Sequence, residues 1–170
     1  DHIEQQLFPL STWGTEIIAA KFKPRGVEPD IWRILAHTNG TMLQSFPPIP
    51  ELQDVTLNAG EVIQFESTID FKVAASHPIA MAQFMVGSDY PGYANGCGEN
   101  FTQGLTSAAV DRTLCAIPAD PTCGQGIGDP AFLMNVPASQ YRKEYTVYVP
   151  DSFVENYLTF VVPDDAGITL

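Results

Sequence analysis

Along most of this chain, hydrophobic and polar residues alternate with a period of two. That is the period of an extended strand with one face in a core and the other in water. The pattern predicts strands over Glu16–Phe22, Ile31–Ala36, Thr41–Phe46, Val55–Leu57, Glu61–Glu66, Phe71–Ala75, Ile79–Val86, Tyr145–Val149 and Tyr157–Val162. Within Glu61–Glu66, Ile63 and Phe65 share the apolar face and are predicted to point inward. Turn residues punctuate the runs. Lys23-Pro24-Arg25-Gly26 and Glu28-Pro29-Asp30 break the first from the second, and His77-Pro78 separates the sixth from the seventh. Asn39-Gly40 has the composition of a type I′ turn, so Ile31–Ala36 and Thr41–Phe46 are predicted to pair as a hairpin. Short strands at this spacing predict an all-β fold, an antiparallel β-sandwich-type lobe.

One stretch departs from the pattern. Tyr93–Gly126 holds all three cysteines and shows little alternation, which predicts a long cysteine-containing loop inserted into the lobe. Thr106–Leu114 could form a short helix inside it, with Ser107 as N-cap.

The chain also matches itself. Pro9-Leu10-Ser11-Thr12-Trp13-Gly14-Thr15-Glu16 and Pro137-Ala138-Ser139-Gln140-Tyr141-Arg142-Lys143-Glu144 both read Pro-x-Ser-x-aromatic-x-x-Glu. Aromatic strands follow each copy (Ile31–Leu35 and Asn156–Phe160), and Gly40-Thr41-Met42-Leu43 then matches Gly167-Ile168-Thr169-Leu170. Three matches in one order predict a tandem β-lobe repeat. On that reading, residues 1–136 form one lobe, including the 93–126 insertion, and 137–170 begin a second, similar lobe in a piece of a longer chain. At the repeated glutamates, Glu16 and Glu144, a carboxylate accepting bonds from loop amides is the expected role.

Composition narrows the partners. The 170 residues carry 20 acids against eight bases, a net charge of −12. Nucleic-acid backbones and anionic membranes attract Lys and Arg, so neither is the expected partner. No apolar run approaches the ~18–20 residues of a membrane-spanning helix, and membrane insertion is not expected.

Candidate chemistry gathers near the irregular segment. Asp89, Tyr90, Tyr93, Asn100 and Phe101 combine aromatic and polar groups of the kind that recognise a protein or glycan. Asn39-Gly40-Thr41 and Asn100-Phe101-Thr102 meet the N-glycosylation pattern, with Asn100 the better acceptor because Asn39 already has a turn to make. Asp89, Asp111, Asp120 and Asp129 are weak calcium candidates, since no D-x-D-x-D-G run organises them. No cofactor is otherwise expected. The sequence contains no G-x-S-x-G elbow, no H-E-x-x-H and no glycine-rich phosphate loop, and His2, His37 and His77 lie apart. The expected activity is not enzymatic.

Five blocks spread over nearly the whole chain carry a resemblance. They are His2–Pro9 with Ser11-Thr12-Trp13-Gly14; Val55-Thr56-Leu57-Asn58-Ala59-Gly60-Glu61; Gln83-Phe84-Met85-Val86-Gly87-Ser88; Gly128-Asp129-Pro130; and Tyr141-Arg142-Lys143-Glu144-Tyr145. The chain resembles the IgGFc-binding protein N-terminal domain family. The resemblance implies an extracellular, secreted or cell-surface setting in a large multidomain protein. It also implies cell adhesion or protein binding on a cell surface, mucus or matrix, with neighbouring repeat lobes as further partners. In an oxidising compartment two of the three cysteines are expected to form a disulfide. Cys115–Cys123 is preferred and Cys97–Cys123 is next, with free thiols as the alternative. Members of the family commonly carry a cysteine just before the Asp-His pair, a natural partner for Cys97 outside this chain. The predicted function is a non-enzymatic binding or adhesion module that meets its ligand mainly through the 89–129 loop region. Its alternative is a structural spacer lobe in a surface fibre.

Overall fold

The structure, a computed structural model, describes residues 3–24, 28–87, 130–149, 151 and 156–162. The described chain is mostly β, with three short 3₁₀ turns as its only helical elements. Seven strands run β1 (Gly14–Ala19), β2 (Asp30–Ala36), β3 (Thr41–Phe46), β4 (Thr56–Leu57), β5 (Val62–Ser67), β6 (Phe71–Met85) and β7 (Ala131–Asn135), all paired antiparallel.

β6 organises the sheet. Its first half pairs with β1 and with β3, and its second half with β2 and with β7. A strand has two hydrogen-bonding edges, so each half is flanked on both sides. β5 lies outside β2, and β4 outside β3.

This sheet is curled. Trp32 is the register partner of Gln83 near the end of β6, yet its ring packs edge-on against Phe71 at the start, with centroids 5.1 Å apart. Twelve residues of straight strand would separate those ends by about 40 Å. β6 therefore bends until its halves face each other. The bend falls at Ala75–Pro78, where Gly14 pairs with Ile79 but Glu16 already pairs with Ala74. Pro78 has no N–H to give a ladder, which suits it to this corner. His77-Pro78, a break between two strands on the sequence pattern, is instead a corner that the chain turns without leaving β6.

Period-two alternation sets what is buried. Phe71, Val73, Ile79, Met81 and Gln83 of β6 face inward, as do Ile17 and Ala19 of β1 and Trp32, Ile34 and Ala36 of β2. Leu43 of β3 and Phe65 of β5 complete that face, while Ile49 and Leu52 beside the Pro50–Leu52 turn are buried against the same cluster. Phe65 and Phe71 stack obliquely at 5.6 Å. Ile63 is partly buried against the core and Val62 is exposed, as the alternation in this strand requires.

Two expectations need correction. β2 and β3 share no register among the described residues; both pair with β6, one after the other. Gly40 has φ +72°, but Asn39 does not have positive φ, so the type I′ geometry is absent. Asn39 instead accepts the Ala59 N–H on its side-chain oxygen at 2.9 Å, tying this turn to the one before β5. Second, Tyr145–Val149 and Tyr157–Val162 form no strands. Their apolar side chains stay exposed, Tyr148 to 82%. The alternation is present, but it joins no ladder among the described residues.

The repeated Pro-x-Ser-x-aromatic sequence does have a repeated local structure. Leu10–Thr12 and Ala138–Gln140 each form a 3₁₀ turn, preceded by Pro9 (φ −54°, ψ 142°) or Pro137 (φ −61°, ψ 151°). Each ends at an extended aromatic residue, Trp13 or Tyr141. The second turn packs on the start of β1, where Pro137 and Ser139 lie against Gly14. Burial raises the Tyr141 phenol above its ordinary pKa, partly offset by a hydrogen bond with the backbone of Ile18. Glu16 departs from its expected role: its carboxylate pairs with Lys72 Nζ at 3.3 Å on the exposed surface. Such a pair contributes at most about 1 kcal/mol.

Candidate binding surface

The geometry at the β6–β7 end determines what the sheet displays. Met85 lies opposite Ala131 and Phe84 opposite Phe132, so residues 86–130 leave and rejoin the sheet at adjacent points. Gly87 and Pro130 close that base: a Cβ added at Gly87 would meet the Pro130 ring at 3.1 Å.

Beside the base, on the face turned away from the core, the register assembles a polar-aromatic patch. Phe84 and Phe132 stack nearly parallel, 4.6 Å between centroids and 6° between planes. The Arg33 guanidinium lies over Phe84 at 4.7 Å, and Arg33 Nε donates to Gln64 Oε1 at 2.8 Å. Arg33 sits between these two because it is the partner of Gln64 on one side and of Ala82, two residues before Phe84, on the other. A stacked aromatic pair capped by an oriented guanidinium suits planar, carboxylate or carbonyl-bearing partners. The sequence pattern alone does not single these residues out. Each looks ordinary within its own strand, and only the cross-strand register unites them.

Arg33→Ala tests how much of this patch is scaffold. Removing one exposed cation–π contact should lower stability by no more than about 1 kcal/mol, measured by urea unfolding.

The predicted site residues Asp89, Tyr90, Tyr93, Asn100 and Phe101 lie outside the described residues. So do Cys97, Cys115 and Cys123, and the calcium candidates Asp111, Asp120 and Asp129. Asn39 is described and exposed, with its side-chain oxygen committed to Ala59.

Elsewhere a shallow groove of about 510 Å³ runs along the outer face between β3 and the Gln53–Thr56 segment, with Ala74 and Ser76 in its wall. Ser76 Oγ lies 3.1 Å from His77 Nδ1 and already accepts the Met42 N–H at 2.9 Å. His37 packs edge-on against Trp13. Among the described residues, no three His, Cys, Asp or Glu side chains converge as metal ligands. No described helix is long and apolar enough to cross a membrane.

A curled antiparallel sheet with an aromatic-cationic patch on its outer face defines a β-rich module built around one bent strand. The chain belongs to the IgGFc binding protein family, whose model matches residues 1–170, the whole chain. No curated protein and no solved structure matches it.

Proposed function

We propose that this chain is an extracellular binding module, and that residues 89–129, together with the Arg33–Phe84–Phe132 patch, form its contact surface for a protein or glycan on a cell surface, mucus or matrix. The observation that carries this reading is the Met85–Ala131 pairing, which brings the chain on either side of the segment to adjacent positions at the end of β6. Binding groups on long connections held by rigid elements are a general arrangement in recognition domains. Family membership supports a binding role, and the family's name makes an Fc fragment one suitable probe. Saturable binding of the chain to immobilised Fc or to immobilised mucin is the expected result. Absence of binding to both would favour the second reading, a spacer lobe in a surface fibre.

That second reading has its own support in the matched turns before Gly14 and Arg142, which suit a tandem repeat with residues 1–136 as one lobe and 137–170 opening the next. Pairing of two such lobe sheets as a sandwich belongs to the same proposal. In the secreted setting, Cys115 and Cys123 form the disulfide and Cys97 remains for a partner elsewhere. Alkylation of the unreduced, denatured chain should then label one thiol per molecule, and labelling of all three would remove the bridge. The module works without a metal, so a chelator leaves its melting temperature unchanged; a fall would assign calcium to the Asp89–Asp129 acids.

A further inference from the structure

We propose that Lys21 and Asp30 become joined by an intramolecular amide bond between their side chains, with Glu28 as the carboxylate that relays the protons. The three residues flank the connection from β1 to β2 and are all withdrawn from water. The Lys21 side chain is 9% exposed and those of Glu28 and Asp30 are 1% exposed. Lys21 Nζ lies 3.6 Å from Asp30 Oδ1 and 3.9 Å from Glu28 Oε1, and it makes no hydrogen bond. A structural ion pair in a dry site closes to about 2.7–2.9 Å and fills the donor positions of the ammonium. This amine is held between two carboxylates without doing so.

Asp30 is oriented for attack. Its Oδ2 accepts the Phe22 N–H at 2.8 Å and the Gln83 Nε2–H at 2.7 Å. Gln83 is itself buried, and its Nε2 also donates to the Ala20 carbonyl at 2.9 Å, so this donor is fixed. Two N–H groups aimed at one carboxyl oxygen stabilise charge that develops there during acyl transfer. The other oxygen, Oδ1, faces the amine. Trp32, the next inward residue of β2, is fully buried beside them and packs on Phe71, which keeps water out.

The step balances within the chain. Glu28 takes a proton from Lys21 Nζ and passes it to Asp30 Oδ1, so that ammonium and carboxylate become amine and neutral carboxyl, and the freed lone pair attacks Cγ. The tetrahedral centre places its negative oxygen at Oδ2, between Phe22 N–H and Gln83 Nε2. Glu28 then takes the second proton from the nitrogen and delivers it to the Oδ1 hydroxyl, the Cγ–Oδ1 bond breaks, Oδ1 departs as water, and Glu28 is left ionised as it began. An ammonium and a carboxylate become a neutral amide plus water, with no oxidant, metal or activated donor. The product replaces two buried charges with one neutral group whose carbonyl oxygen already has two donors, which the dry surroundings favour. It fastens the end of β1 to the first residue of β2, whatever ligand the 89–129 segment binds.

Mass spectrometry of the full chain, denatured and reduced, tests this directly. The expected mass is that of the sequence less one water molecule. Trypsin should fail to cut after Lys21, and cleavage at Arg25 and Arg33 should release residues 1–25 covalently joined to residues 26–33. In Glu28→Gln, with its circular dichroism unchanged, the full sequence mass should return along with cleavage after Lys21. Lys21→Arg gives the mass of an unlinked control. A wild-type chain with the full sequence mass, releasing a peptide that ends at Lys21, would overturn the proposal. A Glu28→Gln chain that still loses water would remove Glu28 from it.

Discussion

Trp32→Ala should lower the free energy of unfolding by about 3–5 kcal/mol, the range for deleting a large aromatic side chain from a packed core. Trp32 is 0% exposed. Its strand pairs with both β5 and β6, and its ring meets Phe71 from the opposite half of the bent strand. Truncation leaves a cavity at the point where the two halves are held together. The sheet cannot close over it without straightening β6, so little relaxation is available. Urea unfolding followed by far-ultraviolet circular dichroism measures the effect. A loss below about 1 kcal/mol would mean that the halves of β6 do not depend on this contact.

The second large effect is expected at Gly14. A Cβ placed there collides with Cβ of Pro137, a ring atom that cannot rotate away. Gly14→Val should therefore destabilise by about 1–3 kcal/mol through overpacking, or push the Pro137–Tyr141 turn off β1. Hydrogen exchange separates the two results, because displacement of the turn exposes the Gln140 and Tyr141 amides that bond to Pro137 and Ala138. Unchanged stability with unchanged exchange would show that the Pro137–Tyr141 turn does not press on Gly14.

These sites mark where the sequence was informative. Alternation identified the strands of the 14–85 region, and it placed Phe65 in the core and Val62 outside it, because the rule needs only one face buried. It missed the curl, which arises from pairing between distant segments. Nothing in Phe71–Ala75 or Ile79–Val86 alone says that they are one strand serving four neighbours. The Asn39-Gly40 signal was genuine for a turn and misleading for a hairpin, since β6 competes successfully for both flanking strands. Tyr145–Val149 and Tyr157–Val162 have strand composition but form no strand, since composition alone does not supply a ladder. The Pro-x-Ser-x-aromatic match was legible because its turn is local: the geometry is set by Pro9 or Pro137 and closed within four residues. The Arg33–Phe84–Phe132 patch and the Lys21–Glu28–Asp30 cluster were invisible for the opposite reason. Their members come from separate strands or from both sides of a turn, and only register and burial bring them together.

The central claim is that a rigid, curled sheet holds residues 89–129 as a binding surface. Replacing residues 93–126 with a short Gly-Ser linker tests it most directly, because Met85 and Ala131 remain paired on either side of the change. Binding to the Fc or mucin probe should be lost, while the urea midpoint and the cooperativity of unfolding stay those of the unmodified chain. Full retention of binding by the folded, shortened chain would contradict the claim.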